Sequence, residues 1–212
     1  MNDLNNPYDT IPDGSMDALV KHISTNNSDV MRHSMRVATV AVNIGKKMGV
    51  SAKQHKSLLH GSLIHDIGYL WVPKSIFKSP RKLALHEKVK IHRHVDLGYY
   101  FISRYVDSRD VIDIVKYHHE RFDGRGYPHR IGGTAIPLLP RIVAVADAYE
   151  AMTDKRAYRP AWKPEAALDN IHEQSGRQFD PDAVGALRDY VGGGRSDMND
   201  VDLQSYDFDG PV

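Results

Sequence analysis

Two doublets of ionisable residues are the most chemically suggestive feature of this sequence. His65 and Asp66 stand together directly after the apolar pair Leu63-Ile64, and His118 and His119 follow an apolar run over 111–115 in the same way. Each doublet is therefore expected to emerge from a buried wall, where a polar or charged group is costly unless it finds a partner. A divalent cation is a partner for a carboxylate and for neutral imidazoles alike. Either doublet alone is a weak signal.

Three further positions offer ligand atoms of the same kind. Asp29 and His33 are four residues apart, so they project from one face of a helix, although an ordinary surface ion pair is the commoner explanation of such spacing. His94 lies four residues before Gly98. Asp147 lies inside the apolar stretch IVAVADAYEAM, where a carboxylate needs a partner unless it sits on the polar face of its helix.

Taken together, these residues predict a site for two metal ions, or for three. Any metal must bind nitrogen and oxygen, because the sequence contains no Cys; thiolate zinc sites, iron–sulfur clusters, disulfides and Cys nucleophiles are excluded with it. The candidate metal ligands are Asp29, His33, His65, Asp66, His94, His118, His119 and Asp147. The remaining histidines show no such pairing and are interpreted as ordinary surface or packing residues: His22, His55, His60, His86, His92, His129 and His172.

Composition favours one globular domain of ordinary size. The chain has 212 residues, of which 41% are apolar and 26% charged, so it can bury a core without disulfides. A net charge of +1, from 28 basic and 27 acidic residues, makes nucleic acid an unlikely partner. There is no apolar run of membrane-spanning length and no secretory leader at the start, so we expect a cytoplasmic protein without a membrane partner.

The elements that must position the ligands are helices. Apolar residues recur three or four apart and alternation of period two is missing, so the sequence predicts an all-α bundle of about seven or eight helices. We expect helices at about 16–23, 29–49, 51–68, 84–105, 108–122, 138–153, 164–175 and 181–190, with a loop at 70–82 and another at 122–137. The predicted organisation is a leader with a short helix over 1–28, the metal-binding domain over 29–191 and an acidic, mobile tail over 192–212.

The motifs HDIG at 65–68 and HHERFDGRGYP at 118–128 resemble those of the HD-GYP subgroup of the HD phosphohydrolase superfamily. The resemblance extends over about 29–190 and includes HSMRVA before the first doublet and RIVAVADAYEAMTDKRAYR at 141–159. It implies an all-helical, HD-domain-like fold that hydrolyses the bacterial messenger cyclic di-GMP with two or three divalent metals. These are commonly iron or manganese, with nickel, cobalt or zinc as alternatives in a purified sample.

The resemblance also implies roles for individual residues. The ligands of one metal would be His33, His65, Asp66 and Asp147, and those of the other His94, His118 and His119, with Asp66 bridging the two. Asp29 falls where some members of the family place a Glu that supports a third metal. Arg156 and Arg159 match a phosphate-binding pair, although read alone they are helix-end charges on a solvated surface. Tyr127 would pack near a base; alternatively, the loop that contains the triplet Gly126-Tyr127-Pro128, here called the GYP loop, is purely architectural. Glu120 and Asp123 are expected to orient ligand imidazoles.

Two metals would lower the pKa of a bridging water, and the resulting hydroxide would open cyclic di-GMP to linear pGpG and onward to GMP. Asp66 and Tyr69 are the predicted catalytic residues. Tyr69 stands where the family usually has Lys near the scissile phosphate, and a phenol brings no positive charge, so slower turnover is expected. The alternatives are a weakly active or inactive cyclic-dinucleotide receptor and a hydrolase of another cyclic dinucleotide such as cGAMP. A homodimer or a regulatory protein partner would fit either.

Overall fold

The computed structural model describes residues 15–77, 81, 83–154 and 160–193. Within these ranges the chain forms helices and no extended strand, which confirms the predicted all-α class. The nine α-helices are α1 Met16–Asn26, α2 Ser28–Lys47, α3 Ala52–Ile64, α4 Lys74–Phe77, α5 Leu85–Ile102, α6 Arg109–Tyr117, α7 Leu138–Thr153, α8 Pro164–Glu173 and α9 Pro181–Gly192. Two short 3-10 helices cover Ile67–Trp71 and Gly133–Ala135.

Polar side chains mark the starts of several helices. The Asn27 side chain accepts a hydrogen bond from the amide of Val30 and caps α2, so that this helix begins at Ser28, one residue before the expected start at 29. Ser51 and Gln54 form a reciprocal capping box at the start of α3. These local bonds satisfy backbone amides that have no partner inside the helix, which is why the helices begin there.

Two of the site helices end earlier than their periodicity predicts. The helix expected over 51–68 ends as α3 at Ile64, and the helix expected over 108–122 ends as α6 at Tyr117. Consequently His65 is the C-terminal cap of α3 and His118 that of α6, so both doublets stand at helix ends. The four-residue α4 lies inside the loop predicted over 70–82 and accounts for the helix beyond the expected eight.

Helix α2 is the centre of the bundle, because it packs against α1, α3, α7 and α9. Its fully buried Val37, Ala41 and Ile44 belong to one continuous apolar core. Leu19 and Ile23 of α1 are fully buried in the same core. Helix α3 also packs against α6, and α5 against both α6 and the first 3-10 helix, so the helices that carry the two doublets are neighbours.

Several predictions concern parts of the chain outside the described residues. These are the phosphate-binding pair Arg156 and Arg159, nearly all of the acidic tail, and the first 14 residues of the leader. Among the residues that are described, none of the helices combines the length and the apolar character needed to cross a lipid bilayer.

Candidate metal centre

The carboxylate of Asp66 is the point on which side chains from several helices converge. Its Oδ1 lies 3.3 Å from Nε2 of His94 and 3.6 Å from Nε2 of His118. Its Oδ2 lies 3.4 Å from Nε2 of His65 and 3.9 Å from Nε2 of His33. One carboxylate therefore contacts the ends of α3 and α6 and the sides of α2 and α5.

The donor atoms form two groups that share Asp66. One contains His33, His65 and Asp66, and the other contains Asp66, His94, His118 and His119; within each group the donor atoms lie within 4.8 Å of one another. Asp147 on α7 adjoins the first group, because its Oδ1 is 3.0 Å from Nε2 of His33. Seven of the eight candidate ligands are thus brought together.

Asp29 is the candidate that the structure does not bring to the cluster. Its carboxylate pairs with the guanidinium of Arg32, at 2.5 Å, and about half of its side chain (51%) is exposed. The pair lies on the solvent side of α2, one turn before His33, and corresponds to the surface ion pair that the spacing also allowed.

Three buried imidazoles are oriented by their own helices. His65, His94 and His118 each use Nδ1 to donate a hydrogen bond to a backbone carbonyl three residues earlier. The acceptors are the carbonyls of Ser62, Ile91 and Val115, at 2.7, 2.7 and 3.0 Å. With the proton on Nδ1, the lone pair on Nε2 points at the Asp66 carboxylate, an arrangement that is repulsive unless a cation lies between them.

The burial of His65 also favours a cation between its imidazole and the Asp66 carboxylate. Nε2 of His65 is buried and makes no hydrogen bond, and the whole residue is inaccessible to solvent. Burying an unpaired acceptor beside an anion costs free energy, which a divalent cation coordinated by both would offset. The residues present therefore fit a metal site with nitrogen and oxygen ligands.

His33 is held by residues that sequence reasoning missed. Its Nδ1 bonds to the buried carboxylate of Glu150, which also accepts a 2.6 Å hydrogen bond from Nε of Arg36. Burial lowers the pKa of His33, but the hydrogen bonds to Asp147 and Glu150 outweigh it and raise the pKa to about 10. The available signal was position, since Glu150 lies three residues after Asp147 on one face of α7.

In the second group, His118 and His119 are neutral imidazoles beside an anionic carboxylate. Burial lowers the pKa of His119 well below its ordinary value, and the neighbouring His118 and His94 lower it further. Burial likewise lowers the pKa of His118. Burial alone would raise the pKa of Asp66, but the neighbouring imidazoles, His65 foremost, hold it well below its usual range. An anionic Asp66 with neutral His118 and His119 matches the protonation states that a metal ion requires of its ligands.

Two tyrosine rings lie flat against candidate ligands. The ring of Tyr69 stacks on His94 with centroids 4.3 Å apart and planes 7° apart. Tyr127 is sandwiched, with His119 at 4.8 Å on one face and His92 at 3.9 Å on the other. Imidazoles therefore lie against both faces of the Tyr127 ring, and the packing of a base near it stays a prediction. His92, interpreted from sequence as an ordinary surface or packing residue, is the outer member of this stack.

Glu120 and Asp123 hold the GYP loop and do not orient imidazoles, contrary to the expectation from sequence. Glu120 accepts hydrogen bonds from the backbone amides of His129 and Arg130, at 2.6 and 3.1 Å. Asp123 forms a two-point pair with the guanidinium of Arg121. Backbone carbonyls orient His65, His94 and His118, and Glu150 orients His33, so none of these imidazoles uses Glu120 or Asp123.

Comparison with known proteins gives consistent matches. The model of the HD domain family matches residues 17–183. The cyclic di-GMP phosphodiesterase response regulator RpfG of Xanthomonas campestris is 38% identical over 156 residues, covering 72% of this chain and 41% of RpfG. The 3'3'-cGAMP-specific phosphodiesterase 2 of Vibrio cholerae is 30% identical over 176 residues, covering 81% of this chain and 33% of the relative. The chain thus spans well under half the length of these two relatives.

A solved structure supports the fold. The protein Bd1817 of Bdellovibrio bacteriovorus, described as an HDG"Y"P protein, aligns with a TM-score of 0.65 at 19% identity. The alignment covers 84% of this chain and 62% of Bd1817. At this identity the similarity concerns the arrangement of helices.

Proposed function

Because the chain belongs to the HD domain family and gathers six further candidate metal ligands around Asp66, we propose that it is a metal-dependent phosphodiesterase acting on cyclic dinucleotides. The resemblance to the HD-GYP subgroup, first seen in the motifs, is confirmed by the relatives described above. One observation carries the proposal: four imidazole nitrogens lie within 3.9 Å of a single buried carboxylate.

Two metal ions are the proposed cofactors; the resemblance to the HD-GYP subgroup favours iron or manganese, and imidazole and carboxylate ligands are compatible with both. One ion would be held by His33, His65, Asp66 and Asp147, and the other by Asp66, His94, His118 and His119. When bound, the ions supply hydroxide as a nucleophile at neutral pH and neutralise charge on the phosphodiester.

Neighbouring groups of the protein orient the proposed metal ligands. Backbone carbonyls fix the imidazoles of α3, α5 and α6 with Nε2 inward, and Glu150 does the same for His33. The flat ring of Tyr69 limits rotation of His94. Burial, with the charges of Asp66 and Asp147, raises the pKa of Tyr127, so its hydroxyl keeps its proton and can donate to a phosphate oxygen.

Cyclic di-GMP is the first proposed substrate, cleaved to pGpG and onward to GMP. RpfG is named for cyclic di-GMP and the Vibrio cholerae relative for 3'3'-cGAMP, and both molecules are cyclic purine dinucleotides. Arg156 and Arg159 are proposed to bind phosphate oxygens, because forked guanidinium groups match them. We also propose that the protein is cytoplasmic and that it acts as a homodimer or with a regulatory protein partner.

The test is turnover by metal-loaded protein. Protein reconstituted anaerobically with Fe(II) or Mn(II) is incubated with cyclic di-GMP, 3'3'-cGAMP and pGpG, and the products are separated by chromatography after elemental analysis of the same sample. We expect linear products from at least one cyclic dinucleotide. Intact substrate in the presence of bound metal would refute hydrolysis, and tight binding of the intact ligand would identify a receptor.

Replacing Glu150 with Gln should weaken metal binding about 10- to 100-fold, because the amide no longer gives His33 Nδ1 an anionic acceptor. Metal affinity is measured by competition with a chelator of known affinity. Glu173→Gln, at the exposed end of α8, is the matched control and should bind metal as the wild type does. Equal affinities of the two variants would remove Glu150 from the support of the centre.

A further inference from the structure

A cavity of about 490 Å³ lies beside the metal centre. It is lined by the GYP loop and by His92 of α5. Tyr127 belongs to both places, because it lines the cavity and stacks on the candidate ligand His119. Tyr127 therefore connects the wall of the cavity to the candidate ligand His119. The volume is within the range of about 300–1,000 Å³ typical of small-molecule sites.

Two arginines line this cavity without a salt bridge to a carboxylate in the part of the chain that the structure describes. Arg125 and Arg130 are both exposed. The loop carboxylates have other main partners. Asp123 forms its two-point pair with Arg121, although it also accepts the amide of Arg125 and attracts its side chain. Glu120 accepts backbone amides. In a chain whose net charge is only +1, two exposed guanidinium groups at one cavity favour a ligand rich in acceptor oxygens.

The backbone holds Arg130 in place at a cost. Its φ of +55° lies in the left-handed region, which is unfavourable for a residue with a side chain. The buried carboxylate of Glu120 accepts the amides of Arg130 and His129 and so keeps the loop in this conformation. Such conformations persist where the surrounding structure enforces them, and they are concentrated at binding sites.

We propose that this cavity binds the half of the cyclic dinucleotide that is not attacked, with Arg125 and Arg130 on its acceptor atoms and its base beside the exposed imidazole of His92. This inference rests on the proposed function and assigns it a second subsite. The acceptors are either oxygens of the second phosphate or O6 and N7 of a guanine, both of which suit a guanidinium fork.

The experiment compares a large substrate with a small one. Arg125→Gln, Arg130→Gln and the double variant are assayed, metal-loaded, on cyclic di-GMP, on cyclic di-AMP and on bis(p-nitrophenyl) phosphate, which has no second nucleotide. We expect the double variant to raise KM for cyclic di-GMP about 10- to 100-fold, because hydrogen bonds to charged groups are lost. Turnover of bis(p-nitrophenyl) phosphate should stay within about twofold, because the metal ligands are untouched.

Two further variants control for folding and for charge. Arg130→Gly removes the guanidinium while relieving the left-handed strain, so a loss of affinity in this variant cannot come from misfolding of the loop. Arg104→Gln removes an exposed charge twelve residues beyond His92 and outside the cavity, and it should leave KM unchanged.

The outcomes distinguish phosphate from guanine as the group that the arginines bind. They also distinguish failure of the subsite from failure of the proposed phosphodiesterase activity. Equal losses on both cyclic dinucleotides assign the arginines to phosphate, and a loss confined to cyclic di-GMP assigns them to guanine. An unchanged KM, or a parallel loss on bis(p-nitrophenyl) phosphate, overturns the subsite. If the wild type cleaves no phosphodiester, the proposed function fails, and calorimetric binding of cyclic di-GMP to the same variants then decides the subsite: unchanged or absent binding overturns it.

Discussion

Asp66→Asn is expected to abolish phosphodiesterase activity, with kcat falling on the order of a thousandfold or more. The Asp66 carboxylate is the group shared by both ligand clusters and lies within 3.9 Å of four imidazole nitrogens. An amide has the same shape but no charge, so it cannot bridge two cations. The bound metal per chain, from elemental analysis, should fall together with the turnover of cyclic di-GMP.

The control for this experiment is Asp96→Asn, which removes an exposed carboxylate from α5, two residues after His94. It should keep full metal content and turnover, since Asp96 belongs to neither ligand cluster. If Asp66→Asn also kept both properties, the two-metal centre proposed around Asp66 would have to be abandoned.

Gly68→Ala is expected to destabilise the protein by about 3 kcal/mol or more. A Cβ at this position would lie 1.8 Å from the carbonyl oxygen of His94 and 2.9 Å from the amide nitrogen of Gly98. Both are backbone atoms, so no side-chain rotation can relieve the clash, and the first 3-10 helix would have to move away from α5. That contact places Asp66 beside His94, so metal affinity should fall as well.

A second glycine provides the comparison. In Gly185→Ala, on α9, the new Cβ would meet nothing within 4 Å, so the substitution should stabilise the helix by about 0.5–1 kcal/mol. Free energies of unfolding come from urea titration of the metal-free proteins, which separates packing from metal binding. Equal stabilities of the two variants would show that α5 and the 3-10 helix do not pack as described.

The local features of the site are visible in the sequence. Residue types and the apolar runs before them identified both doublets, and the periodicity of the apolar residues predicted helices in the right places. The ends of α3 and α6 were placed too late, because nothing before Gly68 or Phe122 stops a helical pattern. The structure ends both helices at the doublets, where backbone contact at Gly68 and the turns of the loop intervene.

By itself, the sequence determined which atoms could bind a metal and which helices carry them, because residue type and helical spacing are local properties. Only the tertiary structure decided which of these atoms meet. It turned Asp29 toward Arg32 and solvent, joined His33 to Glu150 across 117 residues, and placed Tyr127 between two imidazoles. The reason is physical: such contacts depend on how whole helix faces pack against one another, and that packing minimises the free energy of the entire core rather than of any one segment.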